Sequence, residues 1–223
     1  MKNYYDNNLS AERLRLVYEL APPRVKQYLE AEISFVLDRL SFSDIVLELG
    51  CGYGRVLERL ATKAKLVCGI DTSEASLRVA VESMKSAAGV HIVQMNAAAL
   101  GFRDSSFDLV VCIQNGISAF HVAPRTLISE SLRVTKRGGL ALFSSYSMKF
   151  WKDRLEWFRI QSEHELVGEI DWDATREGEI VCKDGFRATT YTADRFVSIV
   201  SELGRRCTMM EVDESSLFCE IAA

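Results

Sequence analysis

The sequence predicts a doubly wound α/β fold built on a mostly parallel, seven-stranded sheet, and three observations carry that prediction. From residue 45 onward, short apolar runs alternate with helix-length amphipathic stretches, the pattern of repeated strand–helix units. The first run, Ile45–Leu49, ends in glycines at alternate positions: Gly50, Gly52 and Gly54. The second, Lys65–Ile70, closes on Asp71 about twenty residues past that turn, where nucleotide-binding sheets place a carboxylate for ribose hydroxyls.

The elements follow in order. Residues 9–40 read as two helical pieces, divided by Pro22-Pro23, with Pro23 suited to a first helical turn. In the second piece Val25, Tyr28, Leu29, Ile33, Val36, Leu37 and Leu40 recur at helical spacing, so it packs on the domain or caps its pocket. A helix over Tyr53–Thr62 follows the first strand. A helix over Ser73–Ala87 follows the second, with Thr72 or Ser73 as N-cap and Glu74 in its first turn. Val90–Met95 is a third strand. Phe107–Ile113 is a fourth, continuous and apolar as a strand covered on both faces should be. Pro124–Thr135 is a helix, and Gly138-Gly139 lead into a fifth strand, Leu140–Ser145.

Residues 148–192 break the alternation. Met148–Ser162 reads as a helix, followed by strand-like Leu166–Trp172, Glu179–Lys183 and Phe186–Tyr191; Asp184-Gly185 between the last two is a hairpin signal. This is an inserted helix with an antiparallel flap. The helix Ala193–Leu203, capped by Gly204, and the strands Cys207–Val212 and Leu217–Ile221 complete the sheet. The chain thus divides into an N-terminal helical cap (1–44), a core (45–147), the insertion (148–192) and a last helix with two strands (193–223), all within one domain.

Bulk properties narrow the function. The net charge of −4 supplies no general basic field for nucleic acid. The six cysteines form no C-x-x-C and sit at no metal-ligand spacing, so no metal is expected and a reduced, cytoplasmic protein is. The segment Met1–Asn8 lacks the apolar core of a signal peptide, and no apolar run approaches the ~20 residues of a membrane span.

The glycine turn decides among nucleotide sites. Arg55 stands where the dinucleotide pattern G-x-G-x-x-G wants glycine, which disfavours a nicotinamide dehydrogenase. Glu48 is badly placed beside a pyrophosphate but suits a cationic ligand. The string Val46-Leu47-Glu48-Leu49-Gly50-Cys51-Gly52-Tyr53-Gly54-Arg55 resembles the first signature of class I S-adenosylmethionine-dependent methyltransferases, and order and spacing over residues 45–145 resemble that family's Rossmann-like core.

The resemblance implies S-adenosylmethionine as cofactor, bound by Glu48, Gly50, Cys51, Gly52, Asp71, Thr72, Asn96, Ala97, Gln114 and Asn115. Asn96 stands where the family usually has an aspartate facing the adenine amino group; its amide oxygen can accept the same bond. Gln114-Asn115-Gly116-Ile117 lacks the N/D-P-P-Y/F of enzymes that methylate base amines. His121 is a candidate general base or a loop anchor. Tyr146, Trp151, Arg154 and Trp157 either shape an acceptor pocket or form core under the flap. The expected activity is methylation of a small molecule. Lys149, Lys152, Arg154 and Arg159 leave tRNA or protein as an alternative acceptor, and a noncatalytic cofactor-binding protein is the third reading. Oligomeric state is not legible.

Overall fold

The computed structural model describes residue 4 and residues 8–223. The leader reading made on Met1–Asn8 falls mostly on residues 1–3 and 5–7, which lie outside the described residues. The helices are α1 (Glu12–Glu19), α2 (Pro23–Leu37), α3 (Arg55–Leu60), α4 (Glu74–Met84), α5 (Gly116–Ala119), α6 (Pro124–Val134), α7 (Trp151–Glu163) and α8 (Ala193–Glu202). The strands are β1 (Ile45–Leu49), β2 (Leu66–Asp71), β3 (Val90–Gln94), β4 (Phe107–Cys112), β5 (Thr135–Tyr146), β6 (Glu179–Val181), β7 (Arg187–Thr189), β8 (Thr208–Val212) and β9 (Ser216–Ala222).

Seven strands form one sheet in the order β3-β2-β1-β4-β5-β9-β8, while β6 and β7 pair as a separate ribbon. All pairs from β3 to β5 are parallel; β9 runs antiparallel to both β5 and β8. The order reverses between β1 and β4, so the carboxyl ends of these strands open the crevice where such sheets bind ligands. The apolar runs explain the layering. Leu47, Cys68, Val110 and Phe143 bury against α6 and α8 on one face, while Val46, Val67, Leu109 and Leu142 bury against α2, α3 and α4 on the other. A third apolar cluster joins α1 and α2 to α7 and the β6–β7 ribbon, so the N-terminal helices and the insertion share one core.

Local chemistry accounts for the boundaries. The helix expected over Tyr53–Thr62 starts only at Arg55, because Gly54 is left-handed (φ 93°) and the turn is not finished before it. Ser73 caps α4, its Oγ accepting from the Ser76 N–H at 3.3 Å. Leu166–Trp172 is not a strand. Leu166, Val167 and Ile170 are buried, but only Ile170 bridges, to Cys182. Asp171 then folds the chain into a turn by accepting from the Asp173 and Ala174 N–H groups. The Asp184-Gly185 hairpin is present and joins β6 to β7. The short helix α5 follows two consecutive left-handed residues, Gln114 and Asn115, and has no counterpart in the sequence reading.

Candidate functional site

The glycine turn leaves β1 as a tight bend locked to the neighbouring strand. Gly50 and Cys51 both donate N–H bonds to the Ile70 carbonyl, at 2.8 and 2.9 Å. Gly50 and Gly52 are left-handed, at φ 74° and 53°, a conformation in which a side chain is strained. Asp71 fastens the bend. Its Oδ2 accepts from the Gly52 N–H at 2.9 Å and its Oδ1 from the Ser73 N–H at 2.8 Å.

Above the bend lies a cavity of about 140 Å3 whose walls include Glu48, Gly50, Gly52, Asp71, Thr72, Gln114 and Asn115. Glu48 is buried and its Oε2 has no hydrogen-bond partner among the described residues. Burial pushes its carboxyl up to about 8; Arg55 opposes the rise and Asp71 adds to it. The Arg55 guanidinium sits 4.5 Å over the Tyr18 ring. Gln114, at the end of β4, also has a buried amide nitrogen, Nε2, without a partner among the described residues. The Asn115 Oδ1 accepts from the Ser145 hydroxyl at 2.7 Å.

A buried carboxyl holds this corner from beneath. The Gln114 N–H donates to the Glu32 Oε2 at 2.6 Å and to the Ser144 Oγ at 2.8 Å; the Ser216 hydroxyl donates to the Glu32 Oε1 at 2.7 Å. Burial raises the Glu32 carboxyl to about 7 against these bonds. Sequence reasoning missed Glu32, yet a signal was present: it is an acid four residues after Tyr28, on the apolar face of α2. Leu14 and Tyr18, one turn apart on α1, also line the cavity, as do Leu9, Phe120 and Phe158. Nothing in the sequence announced Phe120.

Other expected residues are placed elsewhere. Cys51 is buried beside β2 rather than in the cavity wall, and burial holds its thiol far above the ordinary range. Asn96 is exposed beyond β3, its Oδ1 accepting from the Ala98 N–H at 2.8 Å, and Ala97 is buried in the core. Of the four aromatic and arginine candidates, only Tyr146 reaches the cavity. Trp157 is buried and donates its indole N–H to the Val17 carbonyl at 3.0 Å. Arg154 is core too. It donates to the Thr190 Oγ1 and the Ala188 carbonyl, each at 2.6 Å, and lies 4.3 Å over the Tyr146 ring. Trp151 packs against the same cluster. Those three side chains brace the flap because an aromatic helix face under a short ribbon is consumed in packing. His121 lines a separate outer depression, because its left-handed turn (φ 51°) carries it past α5.

Fold and site together define an α/β protein with a crevice at its order reversal: a mostly parallel sheet, a glycine bend at that reversal and a carboxylate on the adjacent strand. Residues 46–139 match the methyltransferase domain family model. Over 103 residues the chain is 36% identical to the ubiquinone biosynthesis O-methyltransferase of Pseudomonas fluorescens, covering 45% of this chain and 43% of that protein. Over 117 residues it is 33% identical to the enzyme of the same name from Pseudomonas entomophila, covering 51% and 49%. The alignments therefore span about half the length of these curated relatives. Among solved structures, an S-adenosylmethionine-dependent methyltransferase of Methanosarcina mazei is similar with a TM-score of 0.61 at 22% identity, over 84% of this chain and 96% of that one. A Pyrococcus horikoshii protein gives 0.67 at 21% identity, over 95% and 98%; both likenesses are likenesses of fold. The likeness to a methyltransferase domain lies in residues 46–139, less than half of the chain.

Proposed function

We propose that this protein transfers the methyl group of S-adenosylmethionine to a small, largely apolar acceptor. The observation that carries this reading is the cavity itself: polar groups gather at its sheet end, and Leu9, Leu14, Tyr18, Phe120, Tyr146 and Phe158 wall the rest. The polar end suits an adenosyl amino acid group by group. The bare backbone of Gly50 and Gly52 admits ligand atoms close to the chain. Asp71, at the end of the adjacent strand and fastened to the bend, is proposed to accept from ribose hydroxyls. The unpartnered Glu48 oxygen complements positive charge, and the unpartnered Gln114 amide can donate to a carboxylate. Asn96 and the Ala97 N–H remain proposed for the adenine edge, on their position beyond β3.

Bound S-adenosylmethionine supplies a methyl group activated by its sulfonium. The chain's contribution is alignment and exclusion of water. Tyr18, Tyr146 and Phe158 are proposed to enclose the acceptor. Glu32, through the Gln114 N–H, fixes the corner on which both ligands rest. Relatives named as O-methyltransferases make a hydroxyl acceptor the first class to try. The test uses methyl-labelled S-adenosylmethionine with a cell extract split into low-mass, RNA and protein fractions. Label is expected in the low-mass fraction. Label confined to RNA or protein, or no transfer to any fraction, would contradict the proposal.

A further inference from the structure

The cavity adjoins a second, outer feature that the proposed reaction has not used. On the outer side of α5 and β7 lies a depression lined by Ser118, His121, Arg187, Thr189, Tyr191 and Arg195. Ser118 and Arg187 are also walls of the cavity, so the two spaces lie on either side of these residues. The junction is built rather than incidental, since the Thr189 N–H donates to the Ser118 Oγ at 2.9 Å and ties the flap strand to the helix beside the cavity.

The charge in this depression is poorly compensated. Arg195 lies 3.8 Å over the Tyr191 ring, which orients its guanidinium but leaves its charge in place. Among the described residues neither Arg195 nor His121 has a carboxylate within ion-pair distance. Among the described residues Arg187 reaches one carboxylate, the Glu179 Oε1 at 3.4 Å, and Glu179 is already held by Arg176 at 2.6 Å. Two guanidiniums, an imidazole and hydroxyls therefore converge on one concave surface of a chain whose net charge is −4. Guanidinium forks match planar or tetrahedral oxyanions and bind them through charge-assisted hydrogen bonds.

We propose that this depression is the anionic-group subsite of the acceptor, so that the acceptor is an amphiphile: an apolar end in the aromatic cavity and a carboxylate or phosphate between Arg187 and Arg195, beside His121. The inference rests on the methyltransferase reading of the cavity. It adds the substrate's charge and the direction in which the substrate lies, from the sheet end outward past Ser118.

The test titrates three probes, phenylbutyrate, phenylbutyl phosphate and the neutral methyl ester of phenylbutyrate, into protein saturated with S-adenosylhomocysteine. Calorimetry gives affinities and proton NMR follows the His121 ring, assigned by its loss in His121→Gln. At least one anion is expected to bind about tenfold more tightly than the ester, as two partly exposed charge pairs allow, and to shift the His121 signals. The stronger anion identifies the oxyanion that the subsite takes. Arg195→Ala, outside the cavity wall, should remove most of the preference while leaving S-adenosylhomocysteine affinity unchanged, which also shows that the variant is folded. Equal binding of ester and anions, anion binding that leaves His121 unmoved, or no binding of any probe would overturn the subsite alone. Failure of S-adenosylhomocysteine to bind at the outset would overturn the methyltransferase reading and this proposal with it.

Discussion

Glu48 carries the charge complement proposed for a cationic ligand, and its protonation makes that testable. Its carboxyl titrates near 8, so below that pH the free protein holds it neutral, whereas a cationic ligand favours the carboxylate. Affinity for S-adenosylmethionine should therefore rise with pH between about 6 and 7.5, by at most tenfold per unit. Glu48→Gln should weaken binding and remove most of that dependence; a flat wild-type profile by calorimetry would contradict the role. Asp71→Ala should cost about 1–3 kcal/mol of binding through lost charge-assisted bonds. It should also speed amide exchange at Gly52, whose N–H the carboxylate holds; an unchanged dissociation constant would refute the ribose assignment. Glu48, Gly50, Gly52 and Asp71 could be picked out in the sequence as a glycine bend flanked by acids, and the structure brings them to one cavity. Arg154 and Trp157 were not, because a motif-free aromatic face reads the same whether it lines a pocket or fills a core. Glu32 escaped because its partners, Ser144, Ser216 and the Gln114 N–H, are remote in sequence.

At the scale of elements, α1 and α5 control the site. The cavity of about 140 Å3 is smaller than the roughly 300 Å3 and upward of ligand pockets. Leu14 and Phe120 rest where side chains of Gly52 and Gly50 would begin, at 3.0 and 3.1 Å from those Cβ positions. Ligand binding should displace both, and hydrogen exchange in Glu12–Glu19 should slow once S-adenosylhomocysteine is buried beneath α1; unaltered exchange there would show that α1 is not part of the site. The flap hangs on Arg154, which bonds backbone or hydroxyl groups of Ala188 and Thr190. Arg154→Ala should destabilise the protein by about 3 kcal/mol, since it orphans buried acceptors, and should open residues 172–178 to proteolysis. The alternation of strands and helices was readable from apolar runs alone. Leu166–Trp172 was misread because buried apolar residues suggest a strand whether or not their backbone joins a ladder.

For the whole molecule, the two buried acids give stability a pH dependence above 4.5. The unfolded chain releases their protons near 4.5, whereas the folded protein holds them to about 7 at Glu32 and about 8 at Glu48. Between those values the unfolded state binds fewer protons, so the stability these two groups contribute is full below 4.5 and falls as pH rises through 8. The ligand-free Tm should drop across that window by an amount reflecting a few kcal/mol, and Glu32→Gln with Glu48→Gln should flatten the slope. The mostly parallel sheet follows from the sequence pattern, while its strand order and the joining of N-terminal helices and flap into one core required the three-dimensional structure. The central claim is that a nucleoside lies on the bend between β1 and β2. A crystal structure with S-adenosylhomocysteine tests it most directly. The account predicts the adenosyl group against Gly50 and Gly52 with its ribose hydroxyls bonded to Asp71. A bend still covered by Leu14 and Phe120, with the ligand absent or bound elsewhere, would contradict it.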